Sequence, residues 1–329
     1  MQKTNRLLLA SLALLSTSAA FAQSSVTIYG RVNTTVERQK DGGTTNTVVA
    51  NNASRFGFRG TEDLGGGLKA GFVLESGFNS DTGTTDSRGF FARQSELNLS
   101  GNFGTLRLGR MTAESYYATA DYIGLHNHDT GSSSDAFYAS VMRNAFTNSN
   151  TVAYKTPDFG GLTVQGSVGM HEQTVGGKNV YDLAAYYTLG ALELGGGYSK
   201  LDDANQVALR AMYTMGPFIV GAYYQRSDDW NAMTDTAAAV GKRDNYRLVG
   251  AYMMGASEFH LNVGRAGKYD NVANSSAMQY TLAYNYNLSK RTKLYGYYTR
   301  VDNKAGASYF SSAAGNDFSS VAVGVRHAF

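Results

Sequence analysis

The sequence predicts an all-β protein, a 16-stranded antiparallel transmembrane β-barrel. Three observations predict it. Apolar and polar residues alternate with a period of two from Ser24 to Phe329, the pattern of strands with one apolar and one polar face. The breaks between the alternating runs themselves alternate, seven short with eight long, which joins sixteen strands with short turns at one rim and long loops at the other. The first residues read as an export signal, and the chain has no cysteine.

In order along the chain, MQKTNRLLLASLALLSTSAAFAQ supplies a basic start (Lys3, Arg6), an apolar run (Leu7 to Leu15) and an Ala20-Phe21-Ala22 cleavage site. Residues 1–22 are therefore expected to be a signal peptide and 23–329 a single barrel domain. Taking 22 from 329 leaves 307 residues, about 19 per strand and connection, enough for spanning strands of ~9–11 residues. Without Lys3 and Arg6 the chain has 27 basic and 26 acidic residues, so nothing points to nucleic acid as a partner. No later stretch has 18 consecutive apolar residues, so no transmembrane helix is expected. A mean hydropathy of −0.29 suits a barrel with a wet interior, because only alternate residues meet lipid.

Alternation is plain in SVTIYGRV, ASRFGFRG, GTLRLGR, GLTVQGSVG, QVALRAMYTM, SEFHLNVGR and KLYGYYTRV. The short breaks are 62–67, 101–104, 156–161, 189–191, 215–217, 254–257 and 287–291, built from Gly, Pro, Asn and Asp with the backbone freedom tight turns need. The long, polar breaks fall at about 38–51, 79–88, 112–148, 171–179, 201–205, 227–243, 268–276 and 302–317. A soluble sandwich of seven to nine strands accounts for neither the strand count nor the leader, and a propeller would show a repeated blade motif. The final run, SSVAVGVRHAF, alternates up to its last residue. Lipid offers no partner to an unpaired backbone, so the last strand must pair with the first and the chain stays in a strand to its end.

Several stretches resemble one family. SSVTIYGRV (24–32), SRFGFRGTEDLGGGLKAGFVLESGF (54–78), GNFGTLRLGR (101–110), the Pro-Asp-Phe-Gly-Gly turn (157–161) and VGVRHAF (323–329) are similar to the Gram-negative general diffusion porins of the beta-proteobacterial branch. The resemblance implies a homotrimer of barrels in the outer membrane, among lipid and lipopolysaccharide, exported through the periplasm and inserted by the barrel-assembly machinery, for which the aromatic Phe329 resembles the sorting signal. It implies a water-filled channel for passive diffusion of small hydrophilic solutes and ions, narrowed by an inward-folded third loop. The long break at 112–148 is the place for that loop, and connections of this length are usually functional. The alternative is a channel selective for organic anions or phosphate. A third class, a non-conducting barrel acting as adhesin or enzyme, has no catalytic motif behind it: His171 and His260 sit in no recognisable site. No cofactor is expected.

In the family, basic side chains on the wall face acidic ones on the third loop. By motif, the bases are Arg31 after Tyr-Gly, Arg55, Arg93 in Ala-Arg-Gln-Ser, and Arg143 after the long loop. Parity gives an independent reading. Phe56 and Phe58 share one face, so Arg55 and Arg59 share the other, and a lipid-facing Arg costs about 2–4 kcal/mol at the midplane. The same rule turns Arg31 and Arg107 inward. Arg110 shares the outward parity of Leu106 and Leu108 and is a candidate subunit contact. Arg93 shares parity with Leu97 and Leu99 and would need a bulge to point inward. The loop carboxylates are Asp121, then Glu114 and Asp135, with Tyr116, Tyr117 and Tyr122 either narrowing the channel or packing the loop on the wall. His126 and His128 do not make a metal site on their own, and Asp202-Asp203 and Asp228-Asp229 read first as solvated loop residues rather than cation ligands, so no metal site is expected.

Overall fold

A computed structural model describes residues 25–121, 131–142, 146–172 and 176–329. The leader at 1–22 lies outside them. Seventeen strand segments form one closed antiparallel sheet: β1 (Ser25–Asp41), β2 (Thr44–Asn51), β3 (Arg55–Gly65), β4 (Leu68–Gly77), β5 (Gln94–Gly101), β6 (Gly104–Thr112), β7 (Thr147–Lys155), β8 (Leu162–Gly169), β9 (Val180–Leu189), β10 (Leu192–Leu201), β11 (Ala204–Met215), β12 (Phe218–Asn231), β13 (Thr236–Met254), β14 (Ser257–Ala266), β15 (Ala277–Asn287), β16 (Thr292–Asn303) and β17 (Phe318–Ala328). Among the described residues a short helix, α1 (Glu114–Thr119), and a 3-10 turn (Gly131–Ser133) interrupt the series after β6.

The staves number sixteen, because β2 and β3 are two lengths of one. β1 pairs with β3 from Val26↔Gly60 to Arg31↔Arg55, and with β2 from Thr34↔Asn51 to Asp41↔Thr44. Between them Ala53 takes φ +53° and breaks the ladder. Side chains replace the lost rungs: Asn52 Nδ2 donates to Thr35 Oγ1 at 2.7 Å and Ser54 Oγ to the Asn33 carbonyl at 3.2 Å, all of it buried. Pairing of β1 with β17, from Arg31↔Ala328 to Asp41↔Phe318, closes the ring. No edge is left unpaired in lipid.

The seven short breaks are turns. Three of the eight long breaks are not loops. At 38–51 the chain runs in strand to Asp41 and returns from Thr44, with Gly42 and Gly43 at the tip; at 201–205 only Asp202 and Asp203 separate two strands; and β12 and β13 reach across 227–243 to a tip at 232–235. Beyond the membrane both strand faces meet water, so the alternation disappears from the sequence while the backbone ladder continues. The remaining connections are 78–93, 113–146, 170–179, 267–276 and 304–317.

Burial is inverted relative to a water-soluble core. Leu248 is 64% exposed while its neighbour Arg247 is 2% exposed. Val26, Ile28, Leu97, Leu209 and Val323 form an outer apolar belt, and Gln206, Gln225, Gln279, Ser199 and Asn245 lie buried on the inner face. That is the arrangement of a barrel in lipid with a polar interior. Outward tyrosines include Tyr187 and Tyr284 near strand ends, where an interfacial girdle lies, and Tyr224, Tyr246 and Tyr298 further along their strands. The girdle takes only one member of most adjacent pairs: Tyr186, Tyr223 and Tyr297 point inward and hold the third loop or wall. From β1 to β6 the single tyrosine is Tyr29, on the inward parity of Arg31, so this sector has no outward tyrosine.

Candidate functional site

The third connection, 113–146, lies on the face opposite the apolar belt. Its helix α1 packs against β9, β10 and β11. The seat is made by glycine: a Cβ on Gly195 would fall 1.8 Å from the Ala118 carbonyl oxygen, and one on Gly197 2.8 Å from Ser115 Cβ. Ser115 N donates to Asp182 Oδ1 at 3.1 Å, and its hydroxyl meets Ser199 Oγ at 2.8 Å. The return leg, 131–142, follows the wall. Ser132 Oγ donates to Glu37 Oε2 at 2.7 Å, Ala136 N to Gln279 Oε1 at 3.1 Å and Ala139 N to Gln225 Oε1 at 2.8 Å. Asp135 pairs with Arg247, and Arg243 donates to the Phe137 carbonyl. The loop is thus pinned to strands from β9 round to β16 and β1, and its start at Glu114 also to β6 and β7, leaving the wall of β3–β5 without such a staple among the described residues.

That wall holds the arginines that the sequence singles out. Arg31 and Arg55 are direct cross-strand partners. Arg31 Nε donates to the Ala53 carbonyl at 3.1 Å, the carbonyl that the β2–β3 break frees. Arg55 and Arg93 share Glu75, with Nε to Oε1 distances of 3.9 and 2.6 Å. Arg59 is exposed on the inner face, its guanidinium 5.2 Å from the Tyr29 ring centroid, and makes no ion pair with any described residue. Arg93 needs no bulge: it lies just before β5, in the 78–93 connection, and reaches Glu75 from there.

Arg107 points inward, into a closed cluster. It contacts Glu96 at 2.7 Å and Glu114 at 3.2 Å and donates to Gln165 Oε1 at 2.9 Å. Glu114 also meets Lys155 at 3.5 Å and accepts from the Tyr186 hydroxyl at 3.0 Å. Glu114 and Asp135 are therefore buried anchors of the loop, not free carboxylates facing a channel. Asp121 is half-buried next to Tyr117, a residue whose other charged neighbours are Glu75 and Arg93. Tyr116 packs with Tyr138 and Phe146, and Tyr117 against the same cluster, so these rings pack the loop. Arg110 faces outward by register with Ser95, and binds the Ala92 carbonyl, Ser149 Oγ and Thr147 Oγ1. Arg143, Tyr122, His126 and His128 lie outside the described residues.

Asp202 lies in the β10–β11 turn and Asp229 at a β-bulge within β12, both with left-handed backbone. Asp202 pairs with Lys178 at 3.4 Å, and Asp229 Oδ1 accepts from Gly241 N at 2.8 Å. Among the described residues no cluster of three or more His, Asp or Glu has the arrangement of a metal site. Residue-by-residue reading missed Arg243, Arg247, Glu75, Glu96 and the Gly195/Gly197 seat. Parity against Tyr246 and Leu248 would have found the two arginines; the glycines offer no periodic signal.

The sequence profile of Gram-negative porins matches residues 9–306. The chain is 33% identical to outer membrane porin protein 32 of Delftia acidovorans over 98% of its own length and 99% of that protein's. It is 30% identical to the major outer membrane protein P.IB of Neisseria meningitidis over 57% of its own length and 58% of the other's. An anion-selective porin from Comamonas acidovorans superposes with a TM-score of 0.82 at 31% identity, covering 93% of this chain and all of that one. OmpF of Salmonella typhi shares the fold, with a TM-score of 0.71 at 16% identity over 92% of this chain and 97% of that one. From the sixteen-stave ring, the polar interior and end-to-end similarity to outer-membrane porins, it follows that this chain belongs to the Gram-negative porin family of outer-membrane channels.

Proposed function

We propose that this porin prefers anions weakly, and that Arg31, Arg55, Arg59 and Arg93 set the preference at an eyelet between the β1–β6 wall and the third loop. The observation behind this reading is a cluster of guanidiniums on one wall: Arg55 and Arg93 share the carboxylate of Glu75, and Arg31 and Arg59 stand on the same inner face beside them. Arg107 contributes little, since Glu96 and Glu114 enclose it. Asp121 is the loop carboxylate that faces the cluster across the gap, and a transverse field between them orients dipolar solutes as they pass. The anion selectivity named for the Comamonas porin agrees with this sign.

The barrel works as a homotrimer in this reading. The β1–β6 sector supports that: its outward large apolar residues are Val, Ile, Leu and Phe, without the tyrosines that mark a lipid–water boundary elsewhere on the wall. OmpT of Vibrio cholerae, of the same fold, has been solved as a trimer. Arg110 lies in this sector and acts on the contact through the connection it pins. Residues 1–22 direct export and are removed, Phe329 is read by the assembly machinery, and lipid and lipopolysaccharide surround the folded wall.

The test is a reversal potential across a planar bilayer under a salt gradient. The wild type gives a modest anion-side potential in triplet steps. Replacing Arg59→Glu reverses an exposed inward arginine that makes no ion pair with any described residue and lowers the anion-to-cation permeability ratio by about two- to threefold at moderate salt. A cation-side potential in the wild type would overturn the reading.

A further inference from the structure

The outer wall between β15 and β1 has a cleft of about 680 Å³. It exists because Gly296 occupies an outward position between its cross-strand partners Tyr284 and Val323 and supplies no side chain. Tyr284, Tyr286, Leu294, Val323, Val325 and Val36 form its sides, nearly all apolar. A smaller groove of about 390 Å³ lies on the outer wall at β7–β10, between Tyr154, Tyr181 and Tyr198, so the cleft at β15–β1 is the roomier of the two. The cleft ends at Tyr286 and Leu294, a cross-strand pair one rung before the turn at 288–291, on the short-turn rim, which faces the periplasm in barrels of this kind.

That turn is basic and held in place. Lys290 and Arg291 are exposed and pair with no described acid. Ser289 Oγ accepts from Arg291 N at 3.1 Å and Thr292 N at 3.0 Å, and the Arg291 carbonyl accepts from Ala328 N at 2.8 Å. His327 is exposed beside it, with Nδ1 2.9 Å from Thr292 Oγ1.

We propose that this cleft holds an acyl chain of a glycerophospholipid from the inner leaflet, with the lipid phosphate at the Lys290–Arg291 turn. An apolar slot ending in an unpaired basic turn at the membrane boundary matches the two ends of such a lipid in order and in charge. Tyr284 and Tyr286 flank one side of the cleft and Val36 of β1 the other, so it lies at the border between the tyrosine-bearing, lipid-facing wall and the tyrosine-free sector that suits a neighbouring subunit. The proposal rests on membrane residence and is independent of the selectivity assigned to the pore.

Native mass spectrometry of the detergent-purified protein, titrated with 1-palmitoyl-2-oleoyl phosphatidylglycerol, tests it. The wild type is expected to retain one lipid per protomer. Gly296→Leu fills the floor of the cleft and removes this binding. Lys290→Ser with Arg291→Ser, at an exposed turn that folding does not depend on, weakens it roughly tenfold at low salt. Equal retention by the wild type and the double variant, or none by the wild type, would overturn the proposal. Loss of the trimer in Gly296→Leu with lipid binding unchanged would assign the cleft to a second copy of the chain. Conductance recorded on the same samples keeps the outcome separate from the pore reading.

Discussion

Arg107 shows how one residue serves the loop rather than the solute. Its side chain is 14% exposed, and its partners Glu96 and Glu114 are 4% and 9% exposed. Removing one partner of a buried ion pair strands the other, at about 3–5 kcal/mol. Glu114 keeps Lys155 when Arg107 is lost, so the cost falls mainly on Glu96. Arg107→Leu should therefore lower the unfolding midpoint in detergent markedly, and Arg107→Leu with Glu96→Gln should recover most of the loss. Thermal unfolding followed by circular dichroism checks both. Parity correctly turned Arg107 inward, yet it says nothing of partners: Glu96 and Glu114 come from β5 and the third loop, and only the closed ring brings them together. The same limit explains why Glu114 and Asp135 read as channel carboxylates in the sequence and prove to be anchors.

At the level of elements, the third loop is held by a seat on one side and staples on the other. Gly195 and Gly197 leave room for the backbone of α1. Gly197→Leu would push the helix off β10 toward the channel axis, so the barrel should still fold but with a lower single-channel conductance in a planar bilayer. An unchanged conductance would show that α1 does not border the path. The β12–β13 tip gives a prediction in pH. Asp235 lies on an exposed tip with its carboxyl turned against Trp230, whose Nε1 donates to Oδ1 at 3.1 Å, and desolvation by the surrounding atoms raises the carboxyl above its ordinary 3.8. A raised carboxyl contributes stability that is complete below 3.8 and is lost as pH climbs through the folded-state value. Trp230 is the only tryptophan in the chain and packs against Ala139 and Val141 of the third loop. Its fluorescence should shift with a midpoint above pH 3.8, and Asp235→Asn should abolish the shift. This tip was read as loop because its strands project past the lipid, where neither face needs apolar residues. The strands inside the membrane, by contrast, were legible, because lipid imposes period two on every one of them.

For the molecule as a whole, closure is the property on which the rest depends, and it comes down to the chain's last residue. Phe329 N donates to the Gly30 carbonyl at 3.0 Å, and Gly30 N donates to the Phe329 carbonyl at 3.1 Å. The Phe329 ring lies over Gly30, where a Cβ would come within 2.6 Å of it. The terminal aromatic thus has a structural seat as well as its proposed reading by the assembly machinery, and the two roles separate by experiment. The backbone pair survives Phe329→Ala, and the ring is already 44% exposed, so the lost apolar burial is only about 1 kcal/mol. Unaided folding into short-chain lipid vesicles, followed by the heat-dependent gel shift of the closed barrel, should therefore be nearly normal. Outer-membrane levels of the same variant in cells should fall several-fold if the aromatic is also read during assembly. An equal loss in vesicles and in cells would place the whole effect in closure, and no loss in cells would remove Phe329 from assembly altogether.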